Sequence, residues 1–153
     1  MKLKAILIDD EENAIETLSL MLKNYCQDIE IVATAKNISD GLDIIYSNKI
    51  DILFLDIMIS NRSGFDVSSK IDLAHIDLVF VTAYEKFALK AIKEGATDYI
   101  LKPINPYELI DCVNRIYKKR RRESPIVKEE KKEDLIIKGK SRIDKVKLND
   151  IIY

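Results

Sequence analysis

The stretch Ile52-Leu53-Phe54-Leu55-Asp56 places four consecutive apolar residues directly before a carboxylate. A short apolar run without alternation predicts a strand that is buried on both faces, as in a parallel sheet covered by helices. Leu78-Val79-Phe80-Val81, followed by Thr82, repeats the pattern further along the chain. These two segments predict the central strands of an α/β sheet.

Three more strand-sized runs and several helical segments surround these two. The strand-sized runs are Leu3 to Ile8, Glu30 to Ala33 and Tyr99 to Leu101. Helical spacing appears between the strands, for example at Ile15, Leu18 and Leu22, and a later helix is expected from Tyr84 to Glu94. Alternation of strands and helices predicts right-handed crossovers and a parallel sheet. We expect a flavodoxin-like (βα)5 doubly wound sheet of order 2-1-3-4-5, with its ligand crevice at the carboxyl ends of strands 1 and 3.

Composition and charge favour a soluble cytoplasmic protein without membrane contact. The 25 basic and 26 acidic residues leave a net charge of −1, so the overall charge does not indicate a polyanionic partner. No apolar run is long enough to cross a bilayer. Cys26 and Cys112 lie on expected apolar helix faces, which favours reduced thiols, although the sequence leaves a pairing between them open.

The composition changes abruptly after Tyr117, where a basic run is followed by mixed charges. We predict a first domain at residues 1–120, a charged linker at 121–133 and a short β fragment at 134–153. Two short strands are too few for a stable domain, so we expect a piece or a natural remnant of a longer protein. The basic run could contact phosphates, but cations at a helix C-terminus explain it equally well.

Polar residues follow four of the five predicted strands. They are Asp9 and Asp10 after the first, Asp56 after the third, Thr82 after the fourth and Lys102-Pro103 after the fifth. Each alone has an ordinary structural explanation, such as helix capping or a turn. Because parallel strands all end at the same edge of the sheet, the residues together predict one site.

Carboxylates crowded at one edge repel one another unless a cation is present. Oxygen ligands of this kind suit Mg²⁺, which retains several waters and needs few protein carboxylates. We expect Asp10 and Asp56 to bind the ion directly and Asp9 to bind it through water. The ion would offset the repulsion between a phosphate and an attacking carboxylate. Asp56 is therefore the predicted nucleophile, which forms an acyl phosphate.

The transferred phosphoryl group needs partners for its remaining oxygens. The Lys102 ammonium can supply a charge and the Thr82 hydroxyl a hydrogen bond, with backbone N–H groups completing the set. Pro103 raises the chance of a cis peptide that turns Lys102 inward, because X-Pro is the bond at which cis costs little.

Five motifs now combine into a family pattern. They are Ile8-Asp9-Asp10-Glu11, Phe54-Leu55-Asp56-Ile57, Gly64, Val81-Thr82-Ala83 and Asp98-Tyr99-Ile100-Leu101-Lys102-Pro103. With them the chain resembles, over residues 3 to 118, the receiver domain of two-component response regulators. One departure is Ser60, since members commonly carry proline four residues after the phosphoacceptor; this leaves the rigidity of that loop open.

The resemblance implies several properties that the residue pattern alone does not give. The backbone carbonyl of Met58 would be the third protein ligand of Mg²⁺, and a sensor histidine kinase would donate the phosphoryl group to Asp56. Thr82 and Tyr99 would form a conformational switch. A homodimer would form through the face made by the fourth helix, the fifth strand and the fifth helix. Catalysis would be limited to the domain's own phosphorylation and dephosphorylation.

The C-terminal segment, residues 134–153, resembles the first strands of a LytTR-type DNA-binding domain. This implies a transcription regulator that contacts DNA only through its full-length output domain. The alternative is a stand-alone receiver that acts as an interaction module or phosphate sink.

Two other α/β classes fit less well. A haloacid-dehalogenase-like phosphatase needs a second acid two residues after the nucleophile, where Met58 stands. A dinucleotide-binding domain needs a glycine-rich loop, and the four glycines are scattered.

Overall fold

The computed structural model describes residues 2–123. Its strands are β1 (Leu3–Ile8), β2 (Ile29–Ala35), β3 (Ile52–Leu55), β4 (Met58–Ile59), β5 (Arg62–Ser63), β6 (Asp77–Thr82) and β7 (Asp98–Leu101). Its helices are α1 (Glu12–Tyr25), α2 (Ile38–Ser47), α3 (Phe65–Ser68), α4 (Ala88–Lys93) and α5 (Pro106–Arg122). Five parallel strands form one sheet in the order β2-β1-β3-β6-β7, and β4 pairs with β5 in a separate antiparallel hairpin. Without the hairpin strands this is the order 2-1-3-4-5, so the predicted flavodoxin-like fold is confirmed.

The two central strands are buried along their whole length. Every residue of β3 and β6 is buried, and Phe54 and Phe80 have no exposed surface. One apolar cluster joins the sheet to α2, α3 and α4 through residues such as Leu53, Phe80 and Ile45. Burial of each large apolar side chain contributes about 1.5–3 kcal/mol, so these strands form the stable centre from which the loops at the sheet edge extend.

Several predicted boundaries were wrong. The helix expected from Tyr84 to Glu94 begins only at Ala88, and no side chain caps its N-terminus. The hairpin of β4 and β5 was not predicted, because strands of two residues carry no periodic pattern. Helix α5 continues to Arg122, two residues past the predicted end of the first domain at residue 120. Helix ends are commonly displaced by one or two residues in this way.

The chain divides into two compact units, Met1–Ile110 and Asp111–Tyr153. The described part of the second unit continues α5, where Arg115 pairs with Asp111 at 3.2 Å and the Arg121 guanidinium lies 5.9 Å from the Tyr117 ring centroid. The predicted β fragment at 134–153 and the linker beyond residue 123 lie outside the described residues.

Both cysteines are buried, and neither is part of a disulfide, as expected from the sequence. Burial, helped by the charge of Asp28, raises the pKa of the Cys26 thiol to about 12, so its reactive thiolate is scarce at neutral pH. Among residues 2–123, no helix combines the length and the apolar character needed to span a membrane.

Candidate functional site

The carboxyl edge of the sheet brings together two aspartates and a lysine from three different strands. Asp9 follows β1, Asp56 follows β3 and Lys102 follows β7. The Lys102 ammonium lies 2.8 Å from Asp9 Oδ2 and 3.1 Å from Asp56 Oδ2. Their side chains are only 20%, 11% and 11% exposed, so this charged group is largely shielded from solvent screening.

Backbone hydrogen bonds hold the two carboxylates and the main chain of Lys102 in place. The N–H of Glu11 donates to Asp9 Oδ1 at 3.0 Å, and the N–H of Ile57 donates to Asp56 Oδ1 at 2.6 Å. The Lys102 N–H donates to the Thr82 carbonyl at 2.8 Å. The Lys102-Pro103 peptide bond is cis, as predicted. Each carboxylate thus has one oxygen fixed by the backbone and the other directed at Lys102.

One ammonium serves two carboxylates, so the group carries an excess of negative charge. Burial raises the pKa of Asp9 despite its hydrogen bonds to Lys102 and Glu11, and the nearby charge of Asp56 adds to the rise. Burial alone would lower the pKa of Lys102, but the hydrogen bond to Asp9 and the charge of Asp56 together raise it. The lysine therefore stays charged, while Asp9 would be further stabilised as an anion by a second cation.

Asp10 faces a different partner. Its side chain is exposed, and its Oδ2 accepts a hydrogen bond of 2.9 Å from the backbone N–H of Ser60, at the tip of the β4–β5 hairpin. Glu11 lies further out, with its carboxylate 3.9 Å from the Lys102 ammonium. Acidic side chains therefore border the lysine on more than one side.

No cluster of three or more His, Cys, Asp or Glu side chains within residues 2–123 is already arranged to hold a metal ion. The reason is visible in the contacts, because Lys102 lies between Asp9 and Asp56 while Asp10 is turned to Ser60. The donor set is nonetheless the one that Mg²⁺ prefers: carboxylate oxygens in a negatively charged group. Since Mg²⁺ keeps several waters, it does not require a preformed cage, and the chemistry of these residues fits it.

The other predicted residues lie around this centre. Met58 is on β4, two residues beyond Asp56, and 40% of its surface is exposed. Thr82 ends β6 and is fully buried; its hydroxyl oxygen accepts a long hydrogen bond of 3.4 Å from the N–H of Tyr84. The structure thus places Thr82 at the same sheet edge as Asp56 and bonded to its own loop.

Tyr99 is tied to the loop that follows Thr82. Its hydroxyl donates to the carbonyl of Tyr84, and its ring centroid lies 6.2 Å from that of Phe80. This fixes the Tyr99 ring against the segment that leads into α4.

A group of aromatic rings under α4 was not anticipated from the sequence. Phe65 contacts Phe80 at 5.0 Å and Phe87 at 6.1 Å between ring centroids, and Phe87 contacts Tyr84 at 6.0 Å. Phe65, Phe80 and Phe87 come from separate segments, so no local pattern could have brought these three together. They connect α3, which begins nine residues after Asp56, to the start of α4.

Gly64 packs directly against the backbone of the Asp56 loop. Its N–H donates to the Ile57 carbonyl at 2.5 Å, and a Cβ added at this position would lie 2.3 Å from the Asp56 carbonyl oxygen. The hairpin of β4 and β5 is therefore anchored at its base beside Asp56, which explains why glycine stands here.

The fold and the charged residues at the carboxyl edge of the sheet define a class of protein. Residues 5–114 match the family described as the response regulator receiver domain, and the chain belongs to that family.

The relatives of this chain include regulators of transcription and signalling. It is 32% identical to the transcriptional regulatory protein BtsR of Shigella flexneri, over 99% of this chain and 64% of that protein. It is 35% identical to the sensory transduction protein LytT of Enterococcus faecalis, over 95% of this chain and 62% of that protein. The chain thus spans somewhat less than two thirds of the length of these relatives.

Solved structures agree with the fold. The response regulatory domain of mrkE from Klebsiella pneumoniae superposes with a TM-score of 0.71 at 30% identity, covering 78% of this chain and 99% of that one. A two-component response regulator from Clostridium difficile gives 0.68 at 29% identity, covering 80% of this chain and 100% of that one.

Proposed function

We propose that Asp56 accepts a phosphoryl group from the phosphohistidine of a sensor histidine kinase in the cytoplasm, and that this modification switches the domain. The observation that carries the proposal is the shared contact of Asp56 and Asp9 with the Lys102 ammonium at the carboxyl edge of the sheet. Such a group offers a carboxylate nucleophile beside a fixed cation.

In the proposed reaction, one Asp56 carboxylate oxygen forms a bond to phosphorus while the bond between phosphorus and the kinase imidazole nitrogen breaks. The Ile57 N–H already holds Asp56 Oδ1, so the carboxylate is oriented before the reaction. Lys102, which now bridges two carboxylates, supplies a positive charge to the oxygens of the transferred group.

The residues proposed to hold Mg²⁺ are Asp10 and Asp56 directly, Asp9 through water and Met58 through its backbone carbonyl. When bound, the ion supplies charge that offsets the repulsion between phosphate and carboxylate. The excess of carboxylates over ammonium groups at this edge supports the assignment.

Incubation of the protein with acetyl phosphate and Mg²⁺ tests the proposal. Intact-mass measurement is expected to show an adduct of one phosphoryl group, and EDTA is expected to abolish it. Neutral hydroxylamine should remove the adduct, because acyl phosphates react with it and phosphate esters of serine or tyrosine do not. An adduct that forms in EDTA or survives hydroxylamine would contradict an Mg²⁺-dependent aspartyl phosphate.

The output is proposed to be DNA binding by a LytTR-type domain, with residues 1–120 as the receiver, 121–133 as the linker and 134–153 as the start of the output domain. The description of BtsR as a transcriptional regulatory protein supports this. In this proposal DNA is contacted only by a full-length output domain. The alternative is a receiver without such a domain, which acts as an interaction module or phosphate sink. It would be phosphorylated on Asp56 in the same way but would not alter transcription.

The proposed switch links Thr82 to Tyr99. Phosphate on Asp56 would draw the buried Thr82 hydroxyl away from the Tyr84 N–H, and Tyr99, bonded to the Tyr84 carbonyl, would swing inward as that loop moves. Helix α4 presents the exposed apolar residues Leu89 and Ile92, at 66% and 55% exposure. We propose that this surface, together with β7 and α5, forms a homodimer after the switch.

Thr82→Ala is expected to leave phosphorylation of Asp56 in place but to weaken phosphorylation-induced dimerisation by about tenfold, since the phosphate loses the hydroxyl that moves the loop. Analytical ultracentrifugation with and without acetyl phosphate measures the effect. Thr17→Ala, at an exposed position on α1, is the matched control and should dimerise like wild type. Unchanged dimerisation of Thr82→Ala would rule out the Thr82 step.

A further inference from the structure

The hairpin that follows Asp56 closes through a two-residue turn of unusual backbone conformation. Met58 pairs with Ser63 and Ile59 with Arg62, which leaves Ser60 and Asn61 as the turn. Their φ angles are 49° and 67°, both in the left-handed region. Two consecutive residues of this kind define a type I′ turn, the form whose twist matches the paired strands.

This turn directs the Ser60 N–H at the carboxylate of Asp10. The N–H donates to Asp10 Oδ2 at 2.9 Å, although the two residues are 50 positions apart in the sequence. Asp10 is exposed, and an exposed carboxylate without a fixed partner samples several rotamers. The hydrogen bond therefore selects one orientation of Asp10 and leaves Oδ1 available to another partner.

The base of the same hairpin is fixed against the nucleophile. Gly64 donates its N–H to the Ile57 carbonyl at 2.5 Å and packs on the Asp56 carbonyl oxygen. The hairpin thus contacts the backbone of Asp56 and Ile57 at its base and the Asp10 carboxylate at its tip.

We propose that the backbone N–H of Ser60 is a positioning group for the metal site: it retains Asp10 Oδ2 while Oδ1 binds the cation. This inference rests on the proposed function, in which Asp10 and Asp56 share Mg²⁺. Ligating carboxylates are usually hydrogen-bonded themselves, and loss of such a partner typically weakens metal binding by 10- to 100-fold. The side chain of Ser60 has no part in this role; the backbone N–H and the left-handed conformation do.

Ser60→Pro introduces the residue that receiver domains commonly carry here, so the proposed role of the N–H belongs to this chain and its positive-φ turn and not to the family. The substitution removes both features, because proline has no N–H and its φ is fixed near −65°. We expect Mg²⁺ to bind this variant at least about tenfold more weakly than wild type, as measured by isothermal titration calorimetry. Ser60→Gly is the conservative variant: it keeps the N–H and adopts positive φ without strain, so its affinity is expected within about twofold of wild type. Thermal unfolding of both variants shows whether each is folded.

Hydrogen exchange of the Ser60 amide, followed by NMR, is a second measurement. It does not depend on whether Ser60→Pro folds. Saturating Mg²⁺ is expected to leave the Ser60 amide at least as protected from hydrogen exchange as before, and Asp10→Ala to expose it. If Mg²⁺ instead raised its exchange to the rate seen in Asp10→Ala, then Asp10 would be leaving Ser60 for the ion, and the inference would be wrong.

The outcomes separate the inference from the proposed function. Failure of wild type to bind Mg²⁺ would overturn both. Tight binding by wild type with equal affinity in folded Ser60→Pro would overturn only the role of Ser60. Equal weakening in Ser60→Gly and Ser60→Pro would also contradict it, since the N–H is present in the glycine variant.

Discussion

Asp56→Asn is expected to abolish the phosphoryl adduct that wild type forms with acetyl phosphate and Mg²⁺, a loss of at least about 100-fold. The amide oxygen of asparagine is a far weaker nucleophile than a carboxylate oxygen. The substitution also removes one of the two carboxylates that contact the Lys102 ammonium. Lys102 keeps its contact of 2.8 Å with Asp9, so we expect the variant to remain folded.

Asp66→Asn is the matched control, because Asp66 is an exposed carboxylate on α3, ten residues further along the chain. Intact-mass measurement of both variants after the same incubation should show the wild-type adduct in Asp66→Asn and none in Asp56→Asn. An adduct of equal size in both variants would mean that the phosphoacceptor is another residue. Circular dichroism on each sample shows that any loss is chemical and not a loss of fold.

Gly64→Ala is expected to lower the free energy of unfolding by about 3 kcal/mol, near the upper end for overpacking. The added Cβ would lie 2.3 Å from the Asp56 carbonyl oxygen and 3.2 Å from the Ile57 Cα, which are backbone atoms that cannot rotate away. Gly64 has φ −61°, which any residue adopts, so the expected cost comes only from this contact. The melting temperature should fall by roughly 10 °C.

Gly41→Ala is the control for this substitution. A Cβ at Gly41 would lie 2.4 Å from the Ile8 Cδ1, the far end of a side chain that can adjust. Gly41 is inside helix α2, where alanine is favoured over glycine by about 1 kcal/mol. We therefore expect its stability within about 1 kcal/mol of wild type by chemical denaturation. Equal losses in the two variants would show that the backbone contact at Gly64 is not the cause.

The sheet was predictable because its signals are strong and local. The unbroken apolar runs Ile52 to Leu55 and Leu78 to Val81 belong to strands that are buried at every position. Once these strands are parallel, the residues that follow them must emerge at one edge. The proximity of Asp9, Asp56 and Lys102 followed from that topology, and their contacts agree with it.

The orientation of the side chains at that edge was not predictable. The sequence predicts that Asp10 and Asp56 bind one ion, but it does not give the hydrogen bonds of Asp10 to Ser60 and of Asp56 to Lys102. The type I′ turn that presents the Ser60 N–H depends on positive φ angles at Ser60 and Asn61. A serine in the sequence does not predict a positive φ angle. Rotamers and single hydrogen bonds of this kind depend on tertiary contacts that a linear pattern does not contain.

The start of α4 shows the same limit. The spacing of Phe87, Ala91 and Ile92 fits a helix, yet residues 84–87 form no helix. The Tyr84 carbonyl, which could have accepted a helical hydrogen bond, receives the Tyr99 hydroxyl instead. A contact between residues 15 positions apart thus overrides the local propensity.

The shortness of α4 gives the domain a mechanical asymmetry. Six residues make fewer than two turns, and helices of this length do not persist without support from their surroundings. We expect the buried strands β3 and β6, which lead to Asp56 and Thr82, to open only on global unfolding, and α4 to open locally at a smaller cost. In the proposed function, phosphorylation of Asp56 therefore acts on the rigid part of the domain, and a modest input of energy would be enough to change the outer surface at α4.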